Sequence, residues 1–207
     1  MTQTDTIAGF LDALAAKVPA PGGGATAALH LGQAAALVSM VARYTVGPRY
    51  AEHEDLVKTV CERADAARTR ALRLVDEDMA AFRSVIDAYR LPKSTEPEQK
   101  ARFLAISAAA QRAAAVPADV ARTAAEVLGL AEQLLPVANS NVISDVAAAA
   151  DAARAAATTA RVNVEINLSS ITDHSIRASL AQEMNQVDEL LVRADTITAH
   201  VRKLLTS

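Results

Sequence analysis

The chain has 207 residues, of which 51% are hydrophobic but only 3% aromatic, with three Phe, three Tyr and no Trp. Its 48 alanines favour helix and disfavour strand, which excludes a sheet-dominated fold and points to an all-α bundle packed closely on small side chains. A net charge of −3 leaves no large basic footprint for nucleic acid, and the single Cys61 excludes an intrachain disulfide or a Cys-rich metal site.

Breakers are few and divide the chain cleanly. Helix one is predicted from Thr4 to Ala16, followed by a loop holding Pro19, Pro21 and Gly22-Gly23-Gly24. Helix two runs from about Ala25 to Val46 and stops at Gly47-Pro48. Helix three, about Ala51 to Tyr89, carries an apolar stripe of Leu72, Val75, Met79, Phe82, Ile86 and Tyr89, spaced three and four apart. Helix four begins after the Lys93–Glu96 turn, runs to about Leu134 and should kink or divide at Pro117. Helix five spans about Ser144 to Ser170 and helix six about Asp173 to Leu205.

The expected architecture is one domain over residues 1–207, an up-and-down bundle of five or six mostly long helices. Helix five, with Ala at most positions from 147 to 160, should be central. Such narrow faces also suggest burial against a second copy, hence a homodimer. The N-terminus lacks a basic segment followed by an apolar run, and the most apolar window (Ala25–Ala42) is broken by His30 and Gln33. No membrane association is expected, and a cytoplasmic location is.

Four segments are unusual for a plain bundle. In APGGGATAAL (20–29), three glycines open a helix, which suits either an anion or flat ligand on free N–H groups, or a close helix crossing. In LVDEDMAAF (74–82), Asp78 lies about 70° from the stripe centre and Asp76 about 90° away on the other flank. The two cannot share a pocket on a regular helix, and Asp78 is the better buried acid/base candidate; a solvated or Arg-paired Asp is the plainer reading. In NSNVISDVA (139–147), Ser144 or Asn141 could cap helix five, with Asp145 in its first turn. In TTARVNVEINLSS (158–170), Thr159, Asn163 and Asn167 form a polar line that must bond neighbouring helices or face a polar cleft. His30, His53, His174 and His200 lack metal-ligand spacing, so no metal is expected, and Cys61 reads as a packing residue.

PGGGATAAL, MVARYTVGPRY (40–50), LVDEDMAAF with LPK (91–93), SNVISDVA and ARVNVEINLSSITD (160–173) together resemble the cyclodeaminase/cyclohydrolase family. The similarity runs from about Phe10 to Ala194, with the five motifs in the family's order. It implies a dimeric helical bundle that acts on tetrahydrofolate derivatives as substrate, without metal or other cofactor. By this resemblance Asp78, Asp145 and Asp76 are the candidate catalytic carboxylates. Gly22, Gly23, Gly24, Arg49, Asn141, Asn163 and Asn167 are the candidate substrate-binding residues. Ser140 and Pro48-Arg49 depart from the pattern, and an Arg in place of Lys could contact substrate but not supply a proton. The implied activity is methenyltetrahydrofolate cyclohydrolase. Formimidoyltetrahydrofolate cyclodeaminase is the alternative, and a non-catalytic folate-binding or oligomerisation bundle is the alternative of another class. With so few aromatics, recognition of a pterin is expected to lean on backbone amides, Asn and Asp.

Overall fold

A computed structural model describes residues 6–206. Seven α-helices account for most of them: α1 Ile7–Ala15, α2 Gly23–Tyr44, α3 Glu54–Arg90, α4 Glu96–Leu134, α5 Ile143–Leu168, α6 His174–Asn185 and α7 Val187–Thr206. Short 3-10 turns at Pro48–His53 and Ser140–Val142 lead into α3 and α5, and no strand occurs among the described residues. Helices α2 to α5 form a ring in which each packs on the next and α5 closes back on α2; α7 covers the outer side of α5. Within this ring, short connections make successive helices antiparallel.

Alanine makes this closeness possible. Ala149, Ala150, Ala153, Ala156, Ala157 and Ala160 of α5 are fully buried, as are Ala25, Ala27, Ala28, Ala34 and Ala35 of α2. Larger side chains, among them Leu31, Leu74, Leu128 and Leu134, fill the spaces between the small faces. Helix α2 is long and apolar enough to cross a membrane by length and composition, yet most of that window is buried inside the bundle. Its apolarity therefore has a use within the fold.

Several boundaries differ from expectation for identifiable reasons. Thr6 caps α1 by accepting from the Gly9 N–H (3.0 Å), whereas the predicted start at Thr4 lies outside the described residues. Helix α2 begins inside the glycine run, with Gly22 as its N-cap, and ends at Tyr44. Gly47 then turns with φ of +102°, a conformation that glycine adopts without penalty. Helix α4 starts at a complete capping box, Thr95 with Glu98, and continues through Pro117 without division. Its partners α3 and α5 hold it in place on either side.

The predicted sixth helix is two helices. Asp173 caps α6 through the Ser175 and Ile176 N–H groups (2.8 and 3.1 Å), and the helix tightens at Gln186, whose N–H bonds to Glu183. Neither Ser144 nor Asn141 caps α5, whose N-cap position is Val142 and carries no side-chain cap bond. Asn139 caps the 3-10 turn before it, accepting from the Asn141 N–H at 3.0 Å. The helix-three stripe holds at Val75 and Met79, but Phe82 and Tyr89 are exposed. The core face of α3 runs instead through Val60, Ala64, Ala71 and Leu74, because small residues let α2 lie directly against it.

Substituting Ala153→Leu is expected to cost about 1–3 kcal/mol by overpacking the ring. Ala199→Leu, on the exposed face of α7, should stay within about 0.5 kcal/mol of the parent. Urea unfolding of the two variants side by side makes the comparison.

Candidate active site

The first turn of α2 meets α3 and α5 at a cleft of about 370 Å³. Its wall contains Gly22, Gly23, Gly24, Asp78, Asn163 and Asn167, six residues from three segments more than 50 positions apart. The glycines are explained by what lies against them. A Cβ on Gly24 would stand 1.9 Å from Asp78 Oδ1 and 2.5 Å from its carboxyl carbon. A Cβ on Gly23 would stand 3.3 Å from Asn163 Nδ2. The missing side chains thus make room for the two polar groups, and the backbone N–H of Ala25 donates to the Asp78 carboxylate. The anion that the open helix N-terminus attracts belongs to the protein itself.

Burial pushes the Asp78 carboxyl up from the ordinary carboxylate range, and the Ala25 N–H opposes this only in part. A carboxyl so placed can take a proton from water or give one to a leaving nitrogen. Asn163 and Asn167 each donate Nδ2–H to the carbonyl one turn back, of Thr159 and Asn163 respectively, both at 2.8 Å. Those bonds align the two side chains along α5 and leave their Oδ1 atoms as acceptors. Thus the polar line on this helix faces a cleft while bonding its own helix, and not its neighbours.

Apolar side chains complete the wall. Phe82, Val85 and Tyr89 come from α3, Ile106, Ala110 and Ala113 from α4, and Ile166 from α5. Two of the six aromatic residues therefore border the cleft, more ring surface than composition suggests. Both belong to the predicted stripe of α3, so their periodicity was visible while their exposure was not. Pro117 also deprives the Ala113 carbonyl of its usual i+4 N–H partner, and Ala113 stands on this wall.

Four sequence candidates lie elsewhere. Asp76 is half-buried on α3 and is not part of the cleft wall, as the helical angle between it and Asp78 predicts. Asp145, in the first turn of α5, is 18 residues from Asn163, about 27 Å along the helix. Asn141 is exposed in the turn before α5, and Arg49 is exposed with its guanidinium 5.7 Å from the centre of the Tyr50 ring. This opposite end is joined by Asn139, which donates from Nδ2 to the Tyr44 carbonyl (2.7 Å) and from its backbone N–H to Thr45 Oγ1 (3.1 Å). Beside it is a larger cavity of about 690 Å³, bordered by the Arg43–Asp65 ion pair, Lys58, Glu62 and Cys61. Sequence reading missed Arg43 and Asp65, since their pairing across 22 residues follows from helix packing alone. No group of three or more His, Cys, Asp or Glu side chains suited to a metal occurs among the described residues.

Residues 6–186 match the formiminotransferase-cyclodeaminase family model. The chain belongs to this family. It is 36% identical to the methenyltetrahydrofolate cyclohydrolase of Methylorubrum extorquens, in an alignment covering 100% of this chain and 99% of that protein. It is 32% identical to the formimidoyltransferase-cyclodeaminase of Mus musculus, covering 95% of this chain but 36% of the mouse protein. The crystal structure of the formiminotetrahydrofolate cyclodeaminase of Thermotoga maritima superimposes with a TM-score of 0.84 at 30% identity, covering 96% of this chain and 98% of that one. The family membership implied by the five motifs is thereby established.

The contact between Gly24 and Asp78 can be tested directly. Gly→Ala inside a helix ordinarily stabilises by about 1 kcal/mol, whereas Gly24→Ala is expected to destabilise by about 1–3 kcal/mol. Combining it with Asp78→Ala should recover most of that loss in a double-mutant cycle read by urea unfolding. The raised Asp78 pKa has its own signature. The folded chain keeps this proton to higher pH than the unfolded chain, so the group's contribution to stability falls as pH rises from the ordinary carboxylate range through the raised value. Asp78→Asn should therefore raise the thermal midpoint at neutral pH, with the difference vanishing in acid once Asp78 is protonated in both the folded and the unfolded chain.

Proposed function

We propose that this chain is a methenyltetrahydrofolate cyclohydrolase that hydrolyses 5,10-methenyltetrahydrofolate to 10-formyltetrahydrofolate. One observation carries the reading: a half-buried carboxyl with a raised pKa stands in a cleft flanked by amide acceptors and rings. The full-length match to the bacterial cyclohydrolase supports it.

The chemistry suits that arrangement. The methenyl bridge is a cationic amidinium carbon, and an adjacent carboxylate lowers the energy of the cation. Asp78 takes a proton from water as its oxygen bonds to the bridge carbon. The tetrahedral adduct then breaks its bond to N5, which receives the proton back from Asp78, while the hydroxyl proton leaves to solvent and the formyl group stays on N10. Asn163 and Asn167 accept from the pterin N–H groups, and Phe82 offers its ring to the flat face. Asp145, Asp76, Asn141 and Arg49 stand outside this cleft in a single chain.

A second reading is favoured by the cyclodeaminase relatives. There N10 bonds to the N5-formimino carbon as its own proton passes to the imino nitrogen. Protonated Asp78 then gives its proton to the resulting amine, which departs as ammonia and leaves the cationic methenyl bridge. We further infer a homodimer and a cytoplasmic location. Support for the dimer comes from exposed apolar side chains beside the cleft, with Val162 61% and Ile166 74% accessible. A two-fold partner running antiparallel would also bring the Asn141–Asp145 end of one chain toward the Asp78 end of the other.

Loss of the methenyl chromophore on adding the protein is the expected result in an absorbance assay. Asp78→Asn should slow it about 100-fold or more with folding intact, and near-normal turnover in that variant would sink the assignment of Asp78. Ammonia release from formiminotetrahydrofolate would favour the second reading. A chain that only binds the folate, with no turnover of either compound, would leave the non-catalytic alternative standing.

A further inference from the structure

The cleft does not end at Tyr89. Tyr89, Ile106 and Ser170 also line a second compartment of about 510 Å³, continued by Phe103, Thr172, His174 and Arg177. We propose that this compartment holds the glutamate-bearing tail of the folate, with Tyr89 and Phe103 bordering its benzoyl ring and Arg177 pairing with a glutamate carboxylate. The proposal rests on the functional reading above, which places the methenyl bridge at Asp78.

Chemistry and distance both favour it. Asp78 and Tyr89 are 11 residues apart on α3, about 16 Å along the axis, and the tail of a folate is a rod of aromatic amide and dicarboxylate directed away from the bridge. Tyr89 is pinned: Arg102 donates to its carbonyl (3.1 and 3.3 Å), with the guanidinium 5.3 Å from the centre of its ring. Phe103 is 60% accessible, a large apolar exposure for a ring on the wall of a groove. The loop between α5 and α6 is fixed by Ser107, whose Oγ accepts from the Thr172 N–H at 3.0 Å. Arg177 donates to His174 Nδ1 at 2.7 Å and retains further N–H donors for a carboxylate. No carboxylate lines the compartment, and the neighbouring Asp173 is bonded to the first turn of α6.

A second way out passes Pro19 and Ala20 to a smaller compartment of about 290 Å³. It contains no aromatic ring, and although Arg83 and Arg90 both line it, Asp87 stands beside them, 3.5 Å from Arg90, so an anionic tail would meet a carboxylate there. Aromatic surface and the absence of a carboxylate both select the Arg177 exit.

The test uses two substrates, 5,10-methenyltetrahydrofolate and its tetrahydropteroyl amide analogue, in which a neutral benzamide replaces the glutamate. Arg177→Gln is expected to raise KM for the folate about tenfold with kcat little changed, and to leave KM for the amide as in the parent. Arg177→Lys, which keeps the charge, should fall between. Phe103→Ala should raise KM for both substrates, and Arg90→Gln for neither. A folate KM within twofold of the parent in Arg177→Gln would overturn the proposal while leaving the functional reading intact. An equal change for both substrates, or a rise in Arg90→Gln instead, would overturn it too. If the parent protein consumes neither substrate, the functional reading fails and the tail compartment fails with it. Thermal midpoints of all variants check that each is folded.

Discussion

The contact between a carboxylate and an absent side chain organises this site. Asp78 occupies the space where Gly24 would carry a Cβ, and the first free N–H groups of α2 face it. Two opposed forces act on that carboxylate. The helix N-terminus and the Ala25 N–H favour the charged form, while removal from water favours the neutral one. Burial outweighs the hydrogen bond, and the carboxyl holds its proton to higher pH than a free Asp does. The same gap brings α2 against α3, so any change that opens the helix crossing also alters the protonation of Asp78.

A rigid frame is needed to keep such a group out of water. The frame is built from alanine, whose methyl groups allow α5 to lie close to α2, α4 and α7. A small side chain loses no rotamer freedom on burial, so a core of this kind is stiff for its modest apolar area. It also suits the polar residues it carries. Asn163 and Asn167 satisfy their N–H groups on their own helix, which lets two amides stand in an apolar wall without any partner from a neighbouring helix.

Of the candidates outside the cleft, Arg49, Asn141 and Asp145 gather at the far end of the bundle, roughly the length of α2 away. Asn139 stitches the approach to α5 onto the last turn of α2, and the Arg43–Asp65 pair borders a separate cavity there. One short loop thus closes this end through three hydrogen bonds, two of them to the end of α2 and one to its own Asn141. The two ends of the bundle have different characters: glycines, a half-buried acid and two helix-borne amides at one, a loop amide and an ion pair at the other.

Much of this was legible in the residues. Alanine content and breaker spacing determined an all-helical bundle, because helix propensity and chain stops are local properties. The angle between Asp76 and Asp78 was equally local, and it separates them in the structure. The division of the last helix at Gln186 was not legible, since no glycine or proline marks it. Nor was the unbroken course of α4 through Pro117, where packing overrides a local preference. The sequence by itself thus determined the helices, the glycine opening and the angle that separates Asp78 from Asp76. Only the tertiary structure decided that Gly24 and Asp78 touch, that Phe82 and Tyr89 face a cleft, and that Asn141 and Asp145 stand far from it. Contacts between segments 50 or more residues apart depend on how the helices cross, and no local pattern of residues encodes that crossing.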